Sequence, residues 1–137
     1  YNLLVRERVE ERIVPVVREH GMGLTTFSPL ATGVLTGKYD DGIPDDSRLA
    51  RMEGLREHWL RDEVLERVRA LKDVADDLGI TRAQLAIAWL LQREGVTSVI
   101  TGATKVEHVH DNLGALEVKL SPDIVARMEA IAAGQDA

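Results

Sequence analysis

Cysteine is missing from all 137 residues, which excludes a disulfide framework and thiolate chemistry. Aromatic residues are scarce at 4%, so the core that a 45% hydrophobic chain permits has to be filled by aliphatic side chains. No apolar run reaches the roughly 18 residues of a membrane helix, and no signal-peptide pattern is visible, so a soluble, cytoplasmic protein is expected. Cations are outnumbered, 17 Lys and Arg against 23 Asp and Glu, for a formal charge of −6. That balance argues against nucleic acid or an acidic membrane surface as the main partner and still allows a local basic site for phosphate. Internal repeats and low-complexity segments are lacking too. The first residue is Tyr1 rather than Met, and the expectation is a piece of a longer chain, by design or by cleavage. The length suits one compact domain.

What is there reads as alternating helices and strands. Residues 1–4 are short and apolar and fit the exit of a strand. Residues 6–20 carry Val9, Ile13, Val16 and Val17 at helical spacing. Pro15 predicts a helix that starts near Ile13 or kinks there, and Gly21 closes it. Residues 23–27 predict a strand. Residues 39–61, with Gly42, Pro44, Gly54 and many charges, predict a long loop, either a functional lid or disordered. Residues 62–78 predict an amphipathic helix with Val64, Val68, Leu71, Ala75 and Leu78 on one face. Residues 81–93 predict a deeply packed helix opened by a Thr81–Gln84 capping box. Residues 96–101, VTSVIT, predict a second strand, followed by a tight turn at 102–104. A second capping box, Thr104–Glu107, predicts a helix with Val106, Val109, Leu113 and Leu116 facing inward. Ser121 and Pro122 open the last helix, with Ile124, Val125, Met128 and Ile131 on its apolar side. Strands alternating with helices mean parallel βαβ units. Two strands alone do not make a stable sheet, and an eight-stranded barrel takes about 250 residues.

The chemistry concentrates in residues 23–48. A strand there ends in small residues, exposed backbone N–H groups and Lys38, an arrangement suited to an anion. The run Gly33-Val34-Leu35-Thr36-Gly37-Lys38-Tyr39 fails as a nucleoside-triphosphate loop. The glycines are one residue too close, and Tyr39 stands where Ser or Thr would bind Mg²⁺. A loop cradling a diphosphate without metal stays open beside a plain turn with a surface lysine. The turn at Gly102 and Thr104 precedes a helix and is a second anion candidate, with Lys105 and His108 as cations; its bland counterpart is an ordinary βα turn. Two such turns at the ends of parallel strands carry more weight than either alone, because barrels bind ligands at that end. The 4 histidines form no metal spacing, and no metal site is expected. The carboxylates interleave with Arg as a solvated helix face. Spacing alone therefore gives phosphate-binding features and no catalytic centre.

Several motifs in order, YNLL near the start, FSPLATGVLTGKY, IPDDSR, LGITRAQLAIAWLL and VTSVITGATKVEHVHDNLGA, resemble the C-terminal half of an aldo-keto reductase. The resemblance spans almost the whole chain and is closer to the subfamily of potassium-channel β-subunits and their bacterial relatives. It implies an α/β fold: the C-terminal part of a (β/α)₈ TIM barrel, with two barrel strands plus helices and a long cofactor-lid loop at 39–61, incomplete as it stands. It implies NADPH bound at the C-terminal face. Phe27 matches the aromatic that stacks on the nicotinamide, where a flat ring is suited to fix one face. Ser28, Pro29, Leu30, Ala31 and Thr32 match the segment that wraps the diphosphate. Lys38 matches a lysine that reaches the cofactor, and Arg48 an arginine of the closing loop. Gly102 and Thr104 match the last phosphate-binding turn, near the adenosine 2′-phosphate. His108 falls where relatives carry Arg, Lys or Gln; largely neutral at pH 7, it is a weaker partner for a dianion than arginine, with Lys105 or Arg48 able to compensate. Asp111 and Asn112 match the pair that holds the adenine. Asp46 replaces an aromatic found in some relatives.

The family's catalytic Asp, Tyr, Lys and His lie on early strands and have no counterpart in this chain. Tyr1 follows a late strand and Tyr39 sits in the cofactor loop, so neither is the proton-donating tyrosine. The resemblance thus implies the cofactor-binding half of an enzyme that reduces aldehydes or ketones. The alternative it implies is a channel β-subunit-like regulatory module whose nicotinamide senses redox state for a channel partner. The expected partners are the nicotinamide cofactor, a small carbonyl substrate, and the missing N-terminal half or a second copy. Open strand edges predict an isolated chain that is oligomeric, swapped or poorly stable.

Overall fold

The computed structural model describes residues 1–135 of the chain. Its elements are α1 (Glu7–Arg12), α2 (Val14–Glu19), β1 (Leu24–Thr26), α3 (Arg48–Arg51), α4 (Glu53–Trp59), α5 (Asp62–Asp77), α6 (Arg82–Leu91), β2 (Val96–Val99), α7 (Val106–Gly114) and α8 (Pro122–Ala133), with 3₁₀ turns at Ala31–Thr36 and Ala115–Glu117. The sheet is a single parallel pair, β1 beside β2, as the βαβ pattern predicts. Each strand is a little shorter than the β-branched runs suggest, and the register is irregular between Leu24 and Thr25.

Helix α6 is the centre of the core. Its residues from Leu85 to Leu90 are all buried, and Trp89 is wholly enclosed. An all-round apolar helix has no solvent face, so its neighbours must cover every side. Val64, Val68, Leu71, Val74 and Ala75 of α5 do so from one direction, Met128, Ile131 and Ala132 of α8 from another, and Val34 and Leu35 of the first 3₁₀ turn from a third. The Thr81 hydroxyl caps α6 by accepting from Gln84 N–H at 3.1 Å, and the Gln84 side chain answers by accepting from Thr81 N–H at 3.2 Å. Ser121 caps α8 and Pro122 occupies its first turn.

The first helix is broken in two at Ile13, where Pro15 predicts a start or kink, and the proline sits in the opening turn of α2, where its missing N–H costs nothing. Four other expectations need correction. Residues 1–5 form a tight turn closed by an antiparallel Asn2–Val5 bridge instead of a strand exit. The span 39–61 is not one loop. It holds α3, capped by the Ser47 hydroxyl accepting from Ala50 N–H, and α4. Leu49 is fully buried, and Leu55 and Trp59 pack on the core, so isolated anchors fold this stretch without a long periodic stripe. Finally, the Thr104–Glu107 capping box does not form. Lys105 is the N-cap of α7 and supplies no side-chain bond, because a lysine ammonium has no acceptor to offer a helix N–H. The apolar stripe of α7 is also not inward: Val106, Val109, Leu113 and Leu116 are 46–69% exposed.

A polar knot fixes the chain's first residues to this core. Glu129 of α8 accepts from Trp89 Nε1 at 3.0 Å and pairs with Arg93 at 2.8 Å and Arg6 at 3.0 Å. Tyr1 meets Trp89 edge to face, with ring centroids 5.5 Å apart, and donates to Glu10. Burial, then the bond to the Glu10 carboxylate, pushes the Tyr1 phenol above its ordinary range. Removing Glu129 strands two guanidinium groups and the indole N–H at once. Glu129→Ala is expected to cost about 2–3 kcal/mol, measured by urea unfolding; a loss below about 0.5 kcal/mol would show the knot to be decorative.

Candidate functional site

Strand pairing sets the geometry of the site. Ile100 N–H donates to Thr26 O at 2.8 Å, extending the ladder to the last residue of β1. The segments that follow, 27–33 after β1 and 100–105 after β2, therefore leave the same end of the sheet, side by side. Phe27 stands out at 73% exposed, a bare aromatic ring at that end.

The backbone after Phe27 is unusual. Ser28, Ala31 and Thr32 have φ of 57°, 48° and 62°, followed by Gly33 at 91°. Ser28 and the consecutive run Ala31, Thr32 and Gly33 bend the chain tightly, and the turn closes partly on itself: Ala31 N–H donates to Ser28 O at 3.1 Å and Gly33 N–H to Leu30 O at 2.8 Å. Asn2 holds this strained entry. It is 3% exposed, its Nδ2 donates to Ser28 O at 3.1 Å, and its Oδ1 accepts from the N–H groups of Leu4 and Val5. Lys38 folds back over Gly33, where a Cβ would sit 2.7 Å from its Cε, and its ammonium lies 5.1 Å from the Tyr39 ring centroid. Lys38 thus packs against the left-handed turn at Gly33. Tyr39 itself is buried, and its hydroxyl accepts from Leu49 N–H at 3.4 Å, tying the α3 segment to this loop.

The second turn is open. Gly102, Thr104, Lys105 and His108 are all exposed. Asp111 and Asn112 are half-buried one turn further along α7. The Asp111 carboxylate accepts from the Thr81 hydroxyl at 3.0 and 3.1 Å, and its carbonyl accepts from Gln84 Nε2 at 3.1 Å. A single hydroxyl proton serves both carboxylate oxygens, so Asp111 keeps acceptor capacity. Arg48 starts α3, exposed, and makes no hydrogen bond or ion pair among the described residues. Nothing brings it to Lys38. A lysine ammonium and an exposed flat ring at the strand ends are chemically compatible with an anionic nucleotide. Among the described residues no group of three or more His, Asp or Glu is placed to hold a metal ion. No described helix is long and apolar enough to cross a membrane.

A concavity of about 510 Å³ lies between α5 and α8, lined by Glu63, Glu66, Arg67, Asp73 and Arg127. It shares no residue with the strand-end turns, and its charges are the solvated helix faces already described.

Sequence reasoning missed the supports of the site. Asp40 accepts from Arg82 Nη2 at 2.6 Å, and Asp40 O accepts from Arg69 Nη2 at 2.7 Å. Gly37 has φ 79°, and the Arg82 guanidinium occupies the space a Cβ would need. The GK dipeptide carried the only sequence signal; Arg82, 42 positions from Asp40, gave none.

A parallel strand pair whose connecting segments are helical, with strained turns at the carboxyl end of its strands, places the chain in the α/β class. The Aldo/keto reductase family model matches residues 1–133, and the chain belongs to that family, whose fold is a TIM barrel and whose members generally bind NAD(P)H. Curated relatives include proteins described as probable voltage-gated potassium channel subunit beta. The one from Arabidopsis thaliana is 47% identical over 136 residues, 96% of this chain and 42% of the relative. The one from Oryza sativa subsp. japonica is 48% identical over the same shares. A channel-subunit relative from Schizosaccharomyces pombe is 38% identical over 137 residues. The chain spans about two-fifths of the length of these relatives.

Gly37→Ala is expected to cost about 2 kcal/mol or more, from the left-handed backbone and the displaced Arg82. Gly21→Ala shares the positive φ of 61° but meets nothing within 4 Å, so about 1 kcal/mol is expected there. Denaturant midpoints that move equally for the two variants would deny the Arg82 contact.

Proposed function

We propose that residues 1–137 are the C-terminal half of an aldo/keto reductase barrel and that the strand-end site holds NADPH. The observation that carries this is the ladder bond from Ile100 to Thr26, which makes the two anion-type turns neighbours. In this reading Phe27 stacks on the nicotinamide, and the Ser28–Thr32 backbone, with Lys38, cradles the diphosphate. Arg48 closes over the cofactor from the 39–61 lid. Gly102, Thr104 and His108 receive the adenosine 2′-phosphate, with Lys105 beside them, and Asp111 and Asn112 hold the adenine. The bound cofactor supplies a hydride. This chain's residues bind and orient it. The proton donor belongs to earlier strands, outside residues 1–137, and the whole protein reduces aldehydes or ketones in the cytoplasm.

The apolar faces support incompleteness. Ile100 and the α7 stripe lie bare on one flank, and Ile13, Val16 and Met22 are 40–52% exposed elsewhere. Continuous apolar faces of this kind mark an interface, and the remaining barrel is the natural cover. The relatives' names favour a second reading, a regulatory subunit of a membrane channel that uses the bound nicotinamide as a redox sensor.

Fluorescence titration separates these. NADPH is expected to bind the complete gene product and to bind the 137-residue chain alone at least about tenfold more weakly. Equal affinity would mean that this half suffices. Turnover of simple aldehydes by the complete product supports the enzyme; cofactor binding without turnover, together with co-purification with a channel, supports the regulatory subunit. By sedimentation the isolated chain is expected to self-associate or to melt broadly, and Leu113→Gln with Leu116→Gln to reduce the association. A sharply melting monomer would overturn the half-barrel.

A further inference from the structure

The two candidate anion segments are far apart in sequence, yet one short stretch touches both. Arg82, the first residue of α6, donates from Nη2 to Asp40 Oδ2 at 2.6 Å and from Nη1 to Val68 O at 3.0 Å. The Arg82 and Asp40 side chains are only 13% and 18% exposed, so the pair is shielded from water, and Asp40 Oδ1 is buried without another partner among the described residues. One residue earlier, the Thr81 hydroxyl donates to the Asp111 carboxylate while it accepts from Gln84 N–H. Two residues later, Gln84 Nε2 donates to Asp111 O, and a Cβ on Gly114 would overlap that same amide, so α7 lies directly against it. Arg82 is thus tied at one nitrogen to the buried core helix α5 and at the other to the turn at Asp40, while Thr81 and Gln84 reach the exposed helix α7.

We propose that the first turn of α6 is a bracket for the nucleotide site. Arg82 is a positioning residue for the Gly37–Asp40 turn that carries Lys38, and Thr81 with Gln84 positions Asp111 on α7. The inference rests on the functional reading above for its ligand, but the bracket itself is a property of the protein alone. A bracket explains how residues 28–40 and 102–112, which share few hydrogen bonds with each other, hold one spacing. Fixing both ends beforehand spares the ordering cost that a long dinucleotide would otherwise meet on binding.

The test uses the complete gene product with two probes, NADPH for the whole site and adenosine 2′-monophosphate for its adenine end. Arg82→Leu, and Asp40→Asn as the milder variant should the first fail to fold, are expected to weaken NADPH about tenfold. They should leave adenosine 2′-monophosphate within about twofold. Thr81→Val is expected to weaken both probes, and Thr81→Ser to restore both. Without ligand, amide hydrogen exchange is expected to rise in residues 33–40 for Arg82→Leu or Asp40→Asn and in residues 106–112 for Thr81→Val, each variant sparing the other segment. Unchanged exchange in the matching segment would overturn the bracket, whatever the affinities. If the unsubstituted protein binds neither probe, the functional reading fails and the exchange pattern still decides the bracket. Equal weakening of both probes by Arg82→Leu would reduce Arg82 to a general stability residue and also overturn it.

Discussion

Everything else in this molecule is arranged to bury α6. A helix with Leu85 to Leu90 apolar on every side cannot rest on a surface; water must be excluded from its whole circumference. Helices α5 and α8 and the first 3₁₀ turn meet that demand. Only its ends carry polar groups, and those ends are where the ion pairs and caps collect. Arg82 and Thr81 stand at one end; Gln92 and Arg93 follow the other. Gln92 Nε2 donates to Ala88 O, and its Oε1 accepts from Leu120 N–H at 3.2 Å, which fixes the approach to α8. The hydrophobic requirement places the helix, and the polar ends decide what is attached to it.

This divides stability from function in space. The core lies in the helical layer, and the strands add little to it: Leu24, Val96 and Val99 are only half-buried. The candidate site lies at the strand ends, built from strained loop backbone and exposed side chains. Positive φ at Ser28, Ala31 and Thr32 carries a conformational cost of order 1–3 kcal/mol each. That cost is tolerable because the flanking anchors, Asn2 on one side and the buried Val34, Leu35 and Tyr39 on the other, are set by packing. Internal bonds from Ala31 N–H to Ser28 O and from Gly33 N–H to Leu30 O hold the strained turn between these anchors.

How much of this was legible in sequence follows from the range of the interactions. Local signals read true. The α6 capping box, the Pro122 start of α8 and the apolar stripe of α5 all depend on neighbours within a turn or two. The parallel pair was legible from the βαβ order. Helices α3 and α4 were hidden because each is held by a few anchors, chiefly Leu49 and Trp59, in a run otherwise rich in charge, glycine and proline. The Asp40–Arg82 pair was hidden because a charge in sequence does not announce its partner. The false capping box at Thr104 shows the converse error: the right residue types stand at the right spacing, but the helix begins one residue late, so the N-cap falls on Lys105, whose side chain has no acceptor.

The exposed stripe of α7 looks at first like another failure of pattern reading, yet the pattern was sound. Val106, Val109, Leu113 and Leu116 follow helical spacing and share an apolar character, but nothing among residues 1–135 covers them. The same helix contributes Asp111, whose carboxylate is held from the α6 side by Thr81. Helix α7 is therefore anchored on one side by polar contacts to α6 and left bare on another. Burying the bare side would add hydrophobic stabilisation at about 25 cal/mol per Å² without disturbing the Thr81–Asp111 contact, because the two involve different faces. The geometry of Asp111 is therefore set by α6 and does not depend on whatever covers the apolar stripe.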